Sequence, residues 1–371
     1  MRGYGGFVAL RLLHFADLHL DRSFASERLV GASAQRRRDD LRAALTRIVQ
    51  RARDQSVDVI TCGGDLFEHD QVTRDTGNFA AQTLGEAGRP VLIAPGHSDP
   101  ALPGSPYRYM RWPSNVKIAA HEELRPYRFG TVDIWASGFM RPGVTEAPLR
   151  DFSRLEEGIN LLLLHASDMS QLPPGTAPLR PLTPDQVREA GFRHALLGHF
   201  HDGRSGDIVT YPGSPEPLGW GQEQCHSTAL VTIDDEGSTQ VRLEEIAERH
   251  LIRETIDITG MTTQGQVRAA VLTRQEGDHR RLAVAQMTLT GERSPALVMD
   301  LKALSAEWGE GFADLELRDR SRVPHDLEAV AQEFTSRGEM VRKLAEQQPD
   351  SASDREAVGR ALQLALDAFE Q

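Results

Sequence analysis

The sequence has very few cysteines and no long hydrophobic run, and both absences exclude classes of protein. Two cysteines, Cys62 and Cys225, in 371 residues are too few for a disulfide framework or a cysteine-based zinc finger. The longest aliphatic stretch, residues 161–164, is far shorter than the roughly 18–20 apolar residues of a membrane span. The apolar run 7–13 is interrupted by Arg11, which is not typical of a secretory signal. We therefore expect a cytoplasmic protein without a membrane anchor.

The sequence also lacks an excess of positive charge. Lys+Arg 42 against Asp+Glu 54 gives a net charge of -12, which excludes a uniformly basic DNA-coating protein but permits a local basic groove. The hydrophobic fraction of 39% and the charged fraction of 26% are typical of globular proteins. Since thiolates are scarce, any metal must be held by carboxylates and by some of the 13 histidines.

Short apolar segments alternate with helical stretches through residues 1–246, which predicts an α/β sheet with covering helices. We expect strands at 7–15, 57–61, 91–94, 132–136, 161–164, 194–197 and 229–233, and helices at 34–53 and 73–84. Beyond residue 246 the pattern changes to a strand–helix–strand unit that is continued by a further strand. From Leu327 the chain is predicted to be helical. Residues 326–371 contain ten acidic and five basic residues, so their apolar positions either meet a partner or pack on the chain's own domain.

Polar side chains follow five of the predicted strands. Carboxyl ends of strands in an α/β sheet are where binding sites are built. So many carboxylates and imidazoles would repel one another and lose solvation if no cation lay between them. A mixed oxygen and nitrogen ligand set suits manganese, iron or zinc, and two ions sharing one carboxylate is the simplest arrangement. The strand-end residues are Asp17, His19, Asp65, Glu68, His97, Asp99, His165, His199 and His201.

The order of these motifs resembles that of the calcineurin-like metallophosphoesterases. The motifs are Asp-x-His, Gly-Asp-x-x-Glu, Gly-x-x-Asp, His and Gly-His-x-His. Residues 13–21 (Leu-His-Phe-Ala-Asp-Leu-His-Leu-Asp) and 211–217 (Tyr-Pro-Gly-Ser-Pro-Glu-Pro) look like the SbcD-type nuclease subunits of double-strand-break repair, closest to YhaO-like proteins. The resemblance implies a β-sandwich flanked by helices over 1–246. In layout only, it implies a small α+β capping domain at 247–325 and C-terminal helices at 326–371.

The resemblance also implies roles for the strand-end residues. Two divalent metals would be present, most simply Mn²⁺ with Fe or Zn as alternatives, and a hydroxide bridging them would attack the phosphodiester. The first metal would be held by Asp17, His19, Asp65 and His201; Asp65 would bridge to the second, which His97, His165 and His199 would complete. His97 and Asp99 of the third motif are expected to be catalytic.

The function implied is that of an exonuclease-type phosphodiesterase acting on DNA in repair. An SbcC-type coiled-coil ATPase is the partner that the resemblance suggests, with residues 326–371 as the candidate contact, and a homodimer is a further option. Arg108 and Arg111 lie among aromatic residues after the third motif. This segment either binds a nucleic-acid strand by charge and stacking or is a loop packed on the domain.

The third motif departs from the family pattern. The family has Gly-Asn-His-Asp, whereas this chain has Gly-His-Ser-Asp at 96–99. His97 replaces a metal-binding asparagine, and an imidazole nitrogen can substitute for an amide oxygen. Ser98 replaces the catalytic histidine, although general acid–base help is typically worth about 10²–10⁴-fold. A substitute would be His97 itself, another histidine such as His69 or His121, or a water on the metal.

Two alternatives to the nuclease hypothesis therefore remain open. The first is a metal-binding scaffold with weak or no nuclease activity, since Ser98 cannot act as an acid near pH 7. The second is a phosphatase or cyclic-nucleotide phosphodiesterase, which would have a closed site and would not act on polymeric DNA. A fold alone does not determine which substrate is cleaved.

Overall fold

The computed structural model describes residues 8–26, 31–68, 71–222, 225–273, 281–346 and 352–369. The chain divides into two compact units, residues 1–251 and 252–371. Among the described residues, none of the helices combines the length and the apolar character that crossing a membrane requires.

The first unit contains two six-stranded sheets. In the first sheet, the parallel neighbours of the central strand lie on one side and antiparallel strands on the other. Its strands are, in spatial order, β12 (Thr239–Glu245), β11 (Ser227–Asp234), β1 (Val8–Phe15), β2 (Val59–Cys62), β3 (Val91–Ile93) and β4 (Val116–Ile118). The second sheet consists of β5 (Arg125–Phe129), β6 (Val132–Ala136), β7 (Ile159–His165), β8 (His194–Gly198), β10 (Val209–Tyr211) and β9 (Arg204–Ser205).

Alternate side chains of β1 serve two separate cores, as the two-residue period of a strand requires. Leu13 and Phe15 belong to a buried cluster that includes Leu41 of α1 (Gly31–Asp54). Leu12 belongs to a second cluster, which includes Leu161 of β7. The first sheet is therefore covered by helices on one face and by the second sheet on the other. The expected α/β class and helix-flanked sandwich are confirmed.

The remaining helices of the first unit are shorter. The helix α2 (Arg74–Gly85) begins at Thr73, whose side chain accepts a hydrogen bond from the Thr76 amide, as N-cap residues do. A four-residue helix, α3 (Pro106–Tyr109), follows β3. The helix α4 (Pro184–Glu189) buries Val187 against the outer face of the second sheet. Each of these helices covers a sheet face or leads out of a strand end.

The second unit has a three-stranded sheet in the order β13 (His250–Asp257), β14 (Ala283–Thr290), β15 (Asp314–Asp319). Val271 of α5 (Gln264–Leu272) and Trp308 of α6 (Leu301–Trp308) share its core. Three further helices follow, α7 (Leu327–Ala331), α8 (Ser336–Ala345) and α9 (Ala352–Phe369). Because residues 252–371 form one compact unit, a division into 247–325 and 326–371 stays a prediction.

The ends of β2 and β8, one from each sheet, meet at two glycines. A Cβ added at Gly198 would lie 2.3 Å from the carbonyl oxygen of Gly63 and 2.8 Å from the Cβ of Ala16. A Cβ added at Gly63 would lie 2.8 Å from the Gly198 nitrogen. Only glycine allows the two backbones to approach this closely. The contact brings the carboxyl ends of strands from both sheets to one place.

We expect Gly198→Ala to destabilise the protein by about 1–3 kcal/mol, because the added methyl group meets backbone that must move. Urea denaturation of the chelator-treated protein measures this without any contribution from a bound cation. Gly104→Ala is the matched control, since no atom lies within 4 Å of a Cβ added there. Equal stability of the two variants would contradict the close packing described here.

Candidate metal centre

Four of the predicted ligands stand on turns with left-handed backbone. The φ angles are 57° at Asp17, 50° at His19, 52° at Asp65 and 112° at His199. Such conformations cost about 1–3 kcal/mol each in a non-glycine residue and persist only where the surroundings impose them. Backbone hydrogen bonds impose them here, from Asp17 N to the Gly64 carbonyl (3.0 Å) and from His19 N to the Asp65 carbonyl (2.9 Å). The turns direct these side chains toward one another.

The predicted ligands form two clusters. The "mixed cluster" consists of Asp17, His19 and His201, and the "histidine cluster" consists of His97, His165 and His199. Within each cluster, one ligand atom of each residue lies within 4.8 Å of the others. Asp17, Asp65 and His165 also meet this criterion, so the two clusters are neighbours. The structure thus brings together all seven residues that the sequence singled out as metal ligands.

Asp65 lies between the two clusters and is fully buried. Its Oδ2 atom is 3.0 Å from His97 Nδ1 and 3.6 Å from His165 Nε2 in the histidine cluster. The same atom is 3.5 Å from His19 Nε2 in the mixed cluster. The Ser98 hydroxyl donates to it as well (2.8 Å). One carboxylate oxygen therefore contacts both clusters, as a bridging ligand must.

The protonation states suit cation binding. Burial lowers the pKa of His165 well below its usual value, that of His199 to about 4 and that of His201 to about 3. These imidazoles are therefore neutral near pH 7, and a neutral imidazole offers a lone pair to a metal.

The two buried carboxylates are in electrostatic conflict. Burial, and then repulsion from Asp65, raises the pKa of Asp17 well above its usual value. Burial opposes ionisation of Asp65 too, but attraction to His165 and the hydrogen bond with His97 hold its pKa well below the usual value. A divalent cation between the two carboxylates would remove this conflict.

Buried nitrogens without hydrogen-bond partners provide an independent sign of a metal site. Within the part of the chain that the structure describes, Nε2 of His19 and both ring nitrogens of His199 are buried and make no hydrogen bond. Buried polar atoms are normally paired, because leaving one unpaired loses the free energy of hydration. Coordination of a cation would satisfy them. The residues present therefore fit a divalent metal centre.

Residues outside the clusters orient the ligands. Nδ1 of His19 donates to Glu68 Oε2 (3.0 Å), and Nδ1 of His165 donates to the Gly63 carbonyl (2.9 Å). The Gln222 side-chain amide contacts Nδ1 of His201 at 2.8 Å. Such partners select the tautomer and orientation of a metal-binding histidine. Glu68 was visible in its motif without an assigned role, whereas no sequence signal pointed to Gln222.

Asp99 lies beneath Asp65 and does not belong to either cluster. Its carboxylate accepts hydrogen bonds from the Tyr107 hydroxyl (2.5 Å) and from four backbone amides, those of Asp65, Leu66, Phe67 and Gly96. Burial and the charge of Asp65 nevertheless raise the pKa of Asp99 to about 7. These contacts hold the second and third motifs together. A direct catalytic role for Asp99 stays a prediction.

The other candidate residues lie outside the clusters. Arg108 and Arg111 are exposed, and Arg108 Nε donates to the Ala101 carbonyl (3.2 Å). His121 contacts the Glu123 carbonyl (2.7 Å) and the Tyr127 hydroxyl (2.9 Å) with its two ring nitrogens. His69, the other candidate substitute for the missing catalytic histidine, lies outside the described residues.

Comparison with known proteins agrees with this geometry. The calcineurin-like phosphoesterase family matches residues 10–210, which include all the ligands. The chain belongs to this family. A relative, the DNA double-strand break repair protein Mre11 of Methanopyrus kandleri, is 24% identical over 373 aligned positions, covering 88% of this chain and 77% of that protein. A crystal structure of TT1561 from Thermus thermophilus covers 65% of this chain and 100% of its own, at 15% identity and a TM-score of 0.39.

As a calcineurin-like phosphoesterase, the protein is a hydrolase of a family that uses divalent metals, and its buried His and Asp groups can bind them. The resemblance deduced from the sequence is confirmed at the level of the family. The finer SbcD-type assignment stays a prediction.

Replacing Glu68 by Gln in this phosphoesterase should weaken divalent-cation binding about 10- to 100-fold, the range typical for loss of an outer-shell partner of a metal-binding histidine. The physical reason is that a carboxylate makes His19 more basic and keeps its Nε2 directed inward. Isothermal titration with Mn²⁺ measures the affinity. Glu123→Gln is the control, because this exposed glutamate pairs with Arg125 and belongs to neither cluster. Unchanged affinity in Glu68→Gln would show that His19 is not a ligand.

Proposed function

We propose that the protein is a two-metal phosphodiesterase that acts on DNA as an exonuclease in DNA repair. The observation that carries this proposal is the position of Asp65, whose Oδ2 contacts His19 on one side and His97 and His165 on the other. When bound, a pair of divalent cations lowers the pKa of water and neutralises charge that develops on phosphoryl oxygens. The chain's own contribution is to hold seven ligands rigidly around one buried carboxylate.

The exposure of the ligands indicates the side from which a phosphodiester approaches. Asp65 and His165 are completely buried, whereas 37% of the His97 side chain is exposed. His199 and His201 are partly exposed as well. Substrate therefore approaches over these three histidines, and the buried carboxylates lie behind them. In this arrangement His97 is close enough to the open face to contact a substrate phosphate as well as a cation.

DNA as the substrate is supported by the relative named a DNA double-strand break repair protein, whose similarity extends over 88% of this chain. The exposed Arg108 and Arg111 lie in and next to α3, which Tyr107 ties to Asp99 beneath the metal centre. We propose that both guanidinium groups contact DNA phosphates, since arginine binds phosphate in a bidentate manner. The negative net charge does not oppose this, because bound divalent cations make the site itself positive.

A metal-binding scaffold with little nuclease activity is the second candidate, and Ser98 is the observation that favours it. The Ser98 hydroxyl donates to Asp65, 2.8 Å away, where the family has a catalytic histidine. His121 is engaged by Glu123 and Tyr127 and is not in either cluster. Among the described residues, His97 is the histidine that is best placed to take over as an acid.

We expect the purified protein with Mn²⁺ to degrade labelled duplex or single-stranded DNA, and Asp65→Ala to abolish this activity because both clusters lose their shared ligand. Ser98→His should raise the rate by up to about 10²–10⁴-fold, the usual contribution of general acid–base catalysis. Denaturing gels of time courses measure both effects.

Digestion that persists in Asp65→Ala would come from a contaminant and would contradict the assignment. An inactive parent with an active Ser98→His variant would support the scaffold instead. Hydrolysis of a phosphomonoester or a cyclic nucleotide without DNA cleavage would replace the nuclease proposal by a phosphatase or cyclic-nucleotide phosphodiesterase. Thr262→His, which adds a histidine on an exposed turn of the second unit, controls for adventitious metal binding.

The C-terminal helices offer a surface for a protein partner. Val330, Val341 and Leu366 are buried among the helices α7, α8 and α9, while Phe334 is fully exposed and Phe369 is 53% exposed. The packing of these helices on one another thus leaves large apolar side chains without cover. We propose that an SbcC-type coiled-coil ATPase binds here, with a second copy of the chain as the competing occupant. The cytoplasmic location stays a prediction that such a partnership requires.

Phe334→Ser should weaken binding of a purified SbcC-type ATPase by at least about tenfold, since a buried aromatic anchor typically contributes about 2 kcal/mol or more to an interface. Val298→Ser is the control, because Val298 is also exposed in the second unit (73%). Surface plasmon resonance measures the affinity, and light scattering measures self-association. Equal binding by both variants would contradict this surface, and loss of a dimer instead would identify it as a homodimer contact.

A further inference from the structure

The histidine cluster differs in chemistry from the mixed cluster. With Asp65 shared, the mixed cluster offers two carboxylates and two imidazoles, namely Asp17, Asp65, His19 and His201. The histidine cluster offers three imidazoles and only the shared carboxylate. The difference arises at His97, where the family pattern has an amide oxygen. Two neighbouring cation subsites in one protein thus have unequal ligand sets.

The ligand atoms of the histidine cluster converge on one point. His97 Nδ1 is 2.8 Å from His165 Nε2, and these atoms are 3.0 and 3.6 Å from Asp65 Oδ2. The edge of a tetrahedron with metal–nitrogen bonds of about 2.0–2.1 Å is about 3.3–3.4 Å. The three separations bracket this edge, so these atoms can hold one divalent cation.

His199 completes the histidine cluster. Its ring lies 5.4 Å from the His97 ring and 5.3 Å from the His165 ring, measured between centroids. Both of its buried nitrogens lack a hydrogen-bond partner among the described residues. His165, in contrast, uses Nδ1 to donate to the Gly63 carbonyl (2.9 Å), which directs Nε2 into the cluster. Both imidazoles thus have a nitrogen available for coordination of a cation.

Imidazole-rich sites prefer zinc, iron, nickel or copper, whereas carboxylate-rich sites accept manganese or magnesium. We propose that the two subsites select different cations, with Zn²⁺ preferred at the histidine cluster and Mn²⁺ accepted at the mixed cluster. His97 is then the residue that determines the metal specificity of the second subsite. This inference rests on the two-metal centre of the proposed function but not on DNA as its substrate.

The test is to load the full chain, stripped with chelator and dialysed, with equimolar Zn²⁺ and Mn²⁺ in slight excess over two sites. Elemental analysis of the desalted protein should give about one Zn and one Mn per chain. Electron paramagnetic resonance should show Mn²⁺ that is not coupled to a second Mn²⁺. Mn²⁺ alone should bind at the two subsites with affinities that differ by at least about tenfold, comparable to the smallest effect of an altered outer-shell partner.

His97→Asn restores the amide oxygen and should shift the composition toward two Mn per chain. His121→Asn is the matched control, because His121 lies outside both clusters with both ring nitrogens engaged, and it should keep one Zn and one Mn. Circular dichroism verifies that both variants are folded. If His97→Asn is unfolded, the composition of the parent protein still decides.

Two Mn or two Zn per chain in the parent protein would overturn the selectivity while leaving the two-metal phosphodiesterase intact. An unchanged Zn-to-Mn ratio in folded His97→Asn would overturn the role of His97. Binding of neither cation would contradict the proposed function itself. A mixed-metal parent whose composition changes only in His97→Asn is the result expected.

Discussion

The whole site depends on one buried negative charge, the carboxylate of Asp65. Three histidines from different turns approach its Oδ2 within 3.0–3.6 Å, and Ser98 donates to it from the third motif. Removing such a group from water is costly unless it is paired and hydrogen-bonded. The surrounding imidazoles and the backbone amides that Asp99 organises are the means by which this chain offsets that cost. The two clusters are adjacent because both use the same anion.

Strain in the backbone accompanies this electrostatic arrangement. Asp17, His19, Asp65 and His199 all have positive φ, and each such residue lowers the stability of the fold. A cation that binds the folded chain and not the unfolded one stabilises the fold by mass action. Metal binding therefore offsets the strain that positions the ligands. The geometry of the centre and the stability of the first unit are thermodynamically linked.

Much of this centre could be predicted from the sequence, because ligands at carboxyl ends of strands follow from the period of the strands alone. The strand expected at 132–136 and the helix expected at 73–84 agree with the structure within one residue, since long periodic segments carry a strong pattern. The two-residue strand β9 is too short to show any period. The contacts of Glu68, Gln222 and Tyr107 depend on loops that only tertiary packing brings together.

The junction of Gly63 with Gly198 has a consequence for biosynthesis. The ligands are spread along the chain from Asp17 to His201 and come from both sheets, so the centre closes only when the ends of β2 and β8 meet. A nascent chain that has not yet delivered β8 has at most a fragment of each cluster. Completion of the reactive centre is thereby made a late event in building the domain. An enzyme that cleaves phosphoesters is kept inert until its two sheets have joined.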